Sequence, residues 1–82
     1  MNPAAESKAL ALIAEACSSD EVLSERDIDL FEAGLMDSLA FVELLVGFEE
    51  DLGIVIQPTE IEREEVSTVN RILAVLDERL AA

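Results

Sequence analysis

The residue best placed to do chemistry is Ser38, which follows Asp37 and begins a long apolar-periodic stretch. A serine at such a position is predicted to be a helix N-cap, because its oxygen accepts a hydrogen bond from a free N–H of the first turn. The same position lies at the positive end of the helix dipole, where an anionic group is stabilised. Two interpretations therefore stand: an ordinary cap, or a hydroxyl that receives a phosphodiester-linked group.

The composition argues against catalysis by this serine itself. The chain has no His, so no Ser-His pair can form and the commonest general base is absent. Its single cysteine, Cys17, allows neither an internal disulfide nor a Cys/His zinc site. Ser38 is therefore predicted to be a substrate of another enzyme, with Asp37 helping that enzyme to hold its metal ion. The chain itself is predicted to be neither an enzyme nor a metal protein.

Charge limits the classes of partner. Nineteen Asp and Glu against five Lys and Arg give a formal net charge of −14. Such a surface repels nucleic acid and anionic membranes, and it favours proteins with basic docking patches. The alternative is that the acidity only keeps a small protein in solution. We see no secretory signal or membrane-spanning run, and the lone thiol suits a reducing cytosol, so a cytoplasmic monomer is expected.

Hydrophobic spacing predicts a single all-α domain over residues 1–82, with three main helices, one short helix and a long first loop. The main helices are placed at residues 3 to about 18, at 38–52 and from 69 onward, and the long connection at 19–37. The predicted core faces comprise Leu10, Ile13, Ala14, Cys17, Phe41, Leu44, Leu45, Phe48, Leu52, Val69, Ile72, Leu73, Leu76 and Leu80. Within the connection, Val22, Ile28, Phe31 and Leu35 are expected to contact this core.

Turn and cap residues mark the boundaries of these elements. Gly34 is the predicted site of a positive φ within the connection, and Gly53 is a suitable C-cap for the helix at 38–52. Thr59 matches a capping box with the Glu three residues later, so a short helix of one to two turns is expected to end near residue 65. The last helix is predicted to be capped by Ser67 or Thr68.

A second apolar strip runs along the helix at 38–52, away from its core face. It consists of Leu39, Val42 and Val46, and its rim carries Glu43, Glu49 and Glu50. We call these six residues the docking strip, because an apolar row bordered by carboxylates suits a partner with a basic and apolar groove. The alternative is that Val42 and Val46 pack under another helix of the same domain.

The motif around Ser38 resembles that of a known family. Gly34-Leu35-Met36-Asp37-Ser38-Leu39, followed by Val42-Glu43-Leu44 and Glu49-Glu50-Asp51-Leu52-Gly53-Ile54, is similar to the attachment motif and recognition helix of acyl carrier proteins. The resemblance covers essentially the whole chain. Within the superfamily it is most similar to the D-alanyl carrier proteins of Gram-positive bacteria, through residues 29–38, 42–45, 58–65 and 67–72.

The resemblance implies a function for Ser38. A phosphopantetheinyl transferase would attach 4′-phosphopantetheine from coenzyme A to Ser38, within an attachment motif that includes Asp37. A D-alanine-activating ligase would load the terminal thiol of that arm with D-alanine as a thioester. A membrane-bound O-acyltransferase would pass the D-alanine towards teichoic acids of the cell wall.

Two other functions are also compatible with the sequence. A carrier of the same fold would hold a fatty, polyketide or peptidyl unit. An acidic helical interaction module would have no covalent cargo, and Ser38 would then be an ordinary cap.

Overall fold

The computed structural model describes residues 1–81, and this range contains helices and turns without a β-strand. The long helices are α1 (Pro3–Cys17), α2 (Ser38–Leu52) and α3 (Val69–Ala81). Short 3₁₀ turns occur at Glu21–Leu23, Pro58–Glu60 and Arg63–Val66. The predicted all-α fold with three main helices is confirmed, while the single short helix is replaced by two separate 3₁₀ turns.

The helices enclose one apolar core. Its largest fully buried side chains are Phe48, Ile13, Leu30, Ile72, Leu76, Val22 and Val69, which come from every long helix and from the first connection. The predicted core faces of α1 and α2 are confirmed, although Leu10, Phe41 and Leu52 are only half-buried. Leu80 was predicted to be part of the core and is instead exposed, because it lies on the last turn of α3, beyond the residues that pack against the other helices.

A close approach of α1 and α2 explains the glycine in the middle of α2. A Cβ added at Gly47 would lie 3.0 Å from Cδ2 of Leu12 on α1. Glycine costs about 1 kcal/mol relative to alanine inside a helix. The lack of a side chain at this point lets the two helices that flank the core pack closely.

The long connection between α1 and α2 is held to the start of α3 by hydrogen bonds. The Leu30 N–H donates to the Ser67 carbonyl at 2.7 Å. Asn70 donates through its backbone N–H to the Arg26 carbonyl at 3.1 Å and through Nδ2 to Asp27 Oδ1 at 2.7 Å. These bonds satisfy polar groups of an irregular segment, which lets its apolar residues reach the core.

The caps near the short turns differ from the prediction. Glu60 Oε1 accepts a hydrogen bond from the Gln57 N–H at 2.8 Å, so the turn begins two residues before Thr59. Pro58 explains the shift, because its fixed φ and missing N–H suit the first position of a turn. At α3, the Arg71 N–H donates to Thr68 Oγ1 at 3.1 Å, which identifies Thr68 as the capping side chain.

Candidate attachment site

Ser38 is the first residue of α2, and its side chain is exposed. The cap of this helix is Asp37, whose Oδ1 accepts a hydrogen bond from the Ala40 N–H at 2.8 Å. The prediction that Ser38 is the N-cap is therefore wrong by one residue. The reason is backbone conformation: Asp37 is extended, with φ −114° and ψ −178°, and so directs its carboxylate at the first turn, whereas Ser38 is already helical.

This arrangement leaves the serine hydroxyl available. Ser38 is exposed to solvent, and none of the side-chain hydrogen bonds within residues 1–81 involves its Oγ. The first turn of α2 contains no acidic residue after Asp37. A phosphate linked to Ser38 would lie beside N–H groups at the positive end of a 15-residue helix. The local electrostatics therefore suit a phosphodiester at this hydroxyl.

Two buried residues fix the position of the exposed serine. The Leu30 carbonyl accepts hydrogen bonds from the N–H groups of Leu35 and Met36, at 2.9 and 3.1 Å, so the backbone folds back on itself before α2. Gly34 makes this turn with φ +74°, as predicted. Leu30 and Met36 are both buried in the core. The sequence did not identify them as core residues, because neither belongs to a periodic pattern.

An aromatic contact joins the same region to the segment before α3. The rings of Phe31 and Phe41 meet edge to face, with their centroids 6.1 Å apart. The guanidinium of Arg63 lies over the Phe31 ring, 4.4 Å from its centroid. Such contacts contribute about 0.5–1 kcal/mol each at exposed sites. They connect the loop, the first turns of α2 and the 3₁₀ turn at Arg63–Val66, a grouping that sequence spacing does not indicate.

The docking strip is a free surface in this structure. The exposed fractions of Leu39, Val42 and Val46 are 69%, 41% and 47%, and the three Glu residues of the strip are also exposed. The alternative that Val42 and Val46 pack under another helix is therefore wrong.

The pKa values of the Cys17 thiol and the Glu60 carboxyl are shifted from their ordinary values, and neither residue belongs to the motif around Ser38. Burial raises the pKa of the Cys17 thiol, which keeps it protonated and unreactive. The pKa of Glu60 is lowered, first by the hydrogen bond from the Gln57 N–H and then by the neighbouring Arg79. Both groups have structural explanations.

Comparison with known proteins identifies the family. The family described as "Phosphopantetheine attachment site" matches residues 7–76, a range that includes α2 and both of its flanking connections. The chain belongs to this family. It is therefore a carrier domain that bears 4′-phosphopantetheine covalently, as predicted.

Curated relatives are similar over most of the chain. A D-alanyl carrier protein of Abiotrophia defectiva is 43% identical over 77 residues, which cover 94% of this chain and 98% of the relative. D-alanyl carrier proteins of Bacillus velezensis and Bacillus licheniformis are 45% and 42% identical over 69 residues, each covering 84% of this chain and 88% of the relative. No helix within residues 1–81 has the length and apolar character needed to cross a bilayer.

Proposed function

We propose that Ser38 bears the 4′-phosphopantetheine arm and that the arm carries D-alanine as a thioester for the D-alanylation of teichoic acids. The observation that carries this proposal is the free, exposed Ser38 hydroxyl at the start of α2, within the range matched by the family. The similarity to D-alanyl carrier proteins over most of the chain supports D-alanine as the cargo.

The attachment reaction uses two groups of the chain, the Ser38 hydroxyl held at the start of α2 and the Asp37 carboxylate beside it. A phosphopantetheinyl transferase removes the Ser38 proton, and Oγ forms a bond to the phosphorus that bears pantetheine in coenzyme A. The pyrophosphate P–O bond breaks, and 3′,5′-ADP leaves. Asp37 caps α2 through Oδ1, so its second oxygen remains available to the metal ion of the transferase.

The chain acts afterwards as a carrier and performs no catalysis itself. The arm supplies a thiol that forms a thioester, while the residues of the chain determine which enzymes it meets. Those partners are a D-alanine-activating ligase, which loads the thiol, and a membrane-bound O-acyltransferase, which receives the cargo. We place this cycle in the cytoplasm and assign the carrier as a monomer.

The docking strip is proposed as the surface that these enzymes share. It begins one residue after Ser38 and runs along the exposed face of α2. Its apolar row supplies contact area, and Glu43, Glu49 and Glu50 steer partners whose docking patches are basic. A modest surface of this kind allows fast binding and release, which a carrier needs if several enzymes use it in turn.

The attachment is tested by intact-mass measurement after incubation with coenzyme A and a phosphopantetheinyl transferase. The wild-type chain is expected to gain the mass of one phosphopantetheine group, and Ser38→Ala is expected to gain none. The matched control is Ser24→Ala, which removes another exposed hydroxyl and should leave the gain unchanged. Modification of Ser38→Ala, or no modification of the wild type by an active transferase, would reject Ser38 as the site.

The cargo is tested separately with the modified protein. A D-alanine-activating ligase and ATP are expected to produce a hydroxylamine-sensitive D-alanyl adduct on the arm. Loading by a fatty-acyl or peptidyl-activating enzyme, with none by the D-alanine ligase, would instead support the other carrier classes.

A further inference from the structure

The strongly nucleophilic side chains of this chain are few, and the structure defines where they lie. The chain has one cysteine, Cys17, one lysine, Lys8, and neither His nor Tyr. Thiolates and free amines attack acyl groups directly, whereas serine and threonine hydroxyls need an adjacent base. A D-alanyl thioester on the arm at Ser38 is such an acyl group. The positions of Cys17 and Lys8 relative to Ser38 therefore determine whether the chain can attack its own cargo.

The packing of α1 against α2 places Lys8 at the opposite end of the molecule from the attachment site. A Cβ at Gly47 would meet Leu12, and Ser18, just after α1, lines the same surface cavity as Glu43. The two helices therefore run antiparallel. Lys8 comes one turn before Leu12, so it is level with the last turn of α2. That turn lies roughly 20 Å along the axis from the start of this 15-residue helix.

The arm is short compared with that separation. Phosphopantetheine has about 14 bonds between the serine oxygen and the sulfur, which span roughly 16 Å at the spacing of an extended chain. Lys8 could meet the thioester only if the arm and the lysine side chain were extended along the same line, so their effective concentration is low. The Met1 amine lies beyond Lys8 at the same end, where it pairs with Asp77 of α3.

Cys17 lies nearer to the attachment site, but its thiol is enclosed. It is in the last turn of α1, which is beside the first half of α2. Only 5% of the residue is exposed, and burial raises the pKa of the thiol, which disfavours the reactive thiolate. The charged side chains close to Ser38 in the sequence are carboxylates, since residues 38–62 contain neither Lys nor Arg.

We propose that the fold protects the loaded cargo by keeping the Lys8 amine and the Cys17 thiol away from the arm at Ser38. This inference rests on the proposed function, because it concerns the thioester formed after attachment. An amine that reached the thioester would form a bond from its nitrogen to the carbonyl carbon, and the C–S bond would break. The sulfur would keep the electron pair and take the proton that the nitrogen loses. D-alanine would then remain on the chain as an amide, which is no longer an activated acyl group.

The test places an amine within reach of the arm and measures the lifetime of the thioester. Glu43 is exposed and lies five residues after Ser38, about 7.5 Å further along α2. Glu43→Lys and Glu43→Arg make the same change of charge, but the guanidinium stays protonated and is not a nucleophile. The proteins are loaded by transfer of D-alanyl-phosphopantetheine from D-alanyl coenzyme A. Intact mass records loading before the time course begins, so a failure of attachment, which would concern the proposed function, is detected separately.

At mildly alkaline pH, where part of the lysine is uncharged, the thioester of Glu43→Lys is expected to disappear at least about fivefold faster than that of Glu43→Arg. Its D-alanyl group should become resistant to hydroxylamine, and peptide mapping should locate that group on residue 43. The matched control is Glu78→Lys, which adds a lysine next to Asp77, at the end of the molecule away from the arm. Its thioester lifetime should stay within about twofold of wild type.

In the wild type, D-alanine should be lost only by hydrolysis, which releases free D-alanine and restores the thiol. Lys8→Arg and Cys17→Ala should therefore leave the lifetime unchanged. A D-alanyl amide on Lys8, or a longer lifetime in either variant, would show that the fold does not keep these groups from the arm. Equal lifetimes of Glu43→Lys and Glu43→Arg would also overturn the inference, because an amine beside the arm would then make no difference.

Discussion

Replacing Asp37 by Ala is expected to destabilise the fold more than replacing Ser38 by Ala, although Ser38 is the proposed functional residue. Asp37→Ala removes the acceptor of the 2.8 Å hydrogen bond from the Ala40 N–H and leaves that N–H without its cap. Losing such a cap costs about 1 kcal/mol of unfolding free energy. For a domain of this size, that lowers the melting temperature by about 4–8 °C.

Ser38→Ala removes a hydroxyl that has no hydrogen-bond partner among the described residues and introduces a better helix former. Its unfolding free energy should stay within about 0.5 kcal/mol of wild type. Asp37→Asn is the informative third variant, because Asn caps a helix about as well as Asp while removing the charge. It should retain stability and be modified more slowly by the transferase, if the carboxylate contacts the metal ion of that enzyme.

These expectations are measured by urea and thermal unfolding followed by circular dichroism, with intact mass recorded on the same samples. The unfolding free energy should fall when Asp37 is replaced by Ala, whereas modification should stop completely only when Ser38 is replaced. A greater loss of stability in Ser38→Ala than in Asp37→Ala would refute the assignment of the cap.

The other predictions concern packing, pH and docking. Gly47→Val should reduce the unfolding free energy in urea by about 2 kcal/mol, because even its Cβ would lie 3.0 Å from Leu12 and its methyl groups would separate α1 from α2. The lowered pKa of Glu60 means that its ionised form stabilises the fold above the ordinary value of 4.5 and that this contribution disappears as the pH falls through the lowered pKa. Glu60→Gln should therefore flatten the fall in stability below about pH 4.5 in acid titrations, whereas an unchanged pH profile would show that the contacts with Gln57 and Arg79 do not act through its charge. Val42→Asp should raise the KM of the loading enzyme for the carrier with little change in melting temperature, since Val42 is exposed; a large stability loss with normal turnover would identify it as a core residue.

The main helices were predictable because each carries its own repeating pattern. In α2, apolar residues three and four apart define one buried face, and the remaining apolar residues must lie elsewhere on the helix. The same spacing predicts that Leu39, Val42 and Val46 lie outside the core face, although only the folded chain shows that they are exposed. It failed at Leu80, because periodicity does not indicate where a helix extends beyond its neighbours.

Short elements were less predictable because their conformation depends on distant contacts. The 3₁₀ turn at Pro58–Glu60 is connected to α3 by the pairing of Glu60 with Arg79, and Thr59 alone gave a misleading signal for its start. Val55 is similar, since three consecutive apolar residues do not reveal which one faces outward. The packing of Ile54 and Ile56 in the core is what leaves Val55 exposed.

The sequence by itself indicated the chemistry that we propose for Ser38. A chain with no histidine and a serine after Asp37 at a helix start can offer that hydroxyl to another enzyme, and a net charge of −14 favours partners with basic surfaces. The tertiary structure decided which residue caps α2 and how the serine is held. Asp37 takes the cap because the turn anchored by buried Leu30 and Met36 makes its backbone extended, and this leaves the Ser38 hydroxyl free. Local composition can specify a reactive group, whereas its exact position depends on contacts between residues that are far apart in the chain.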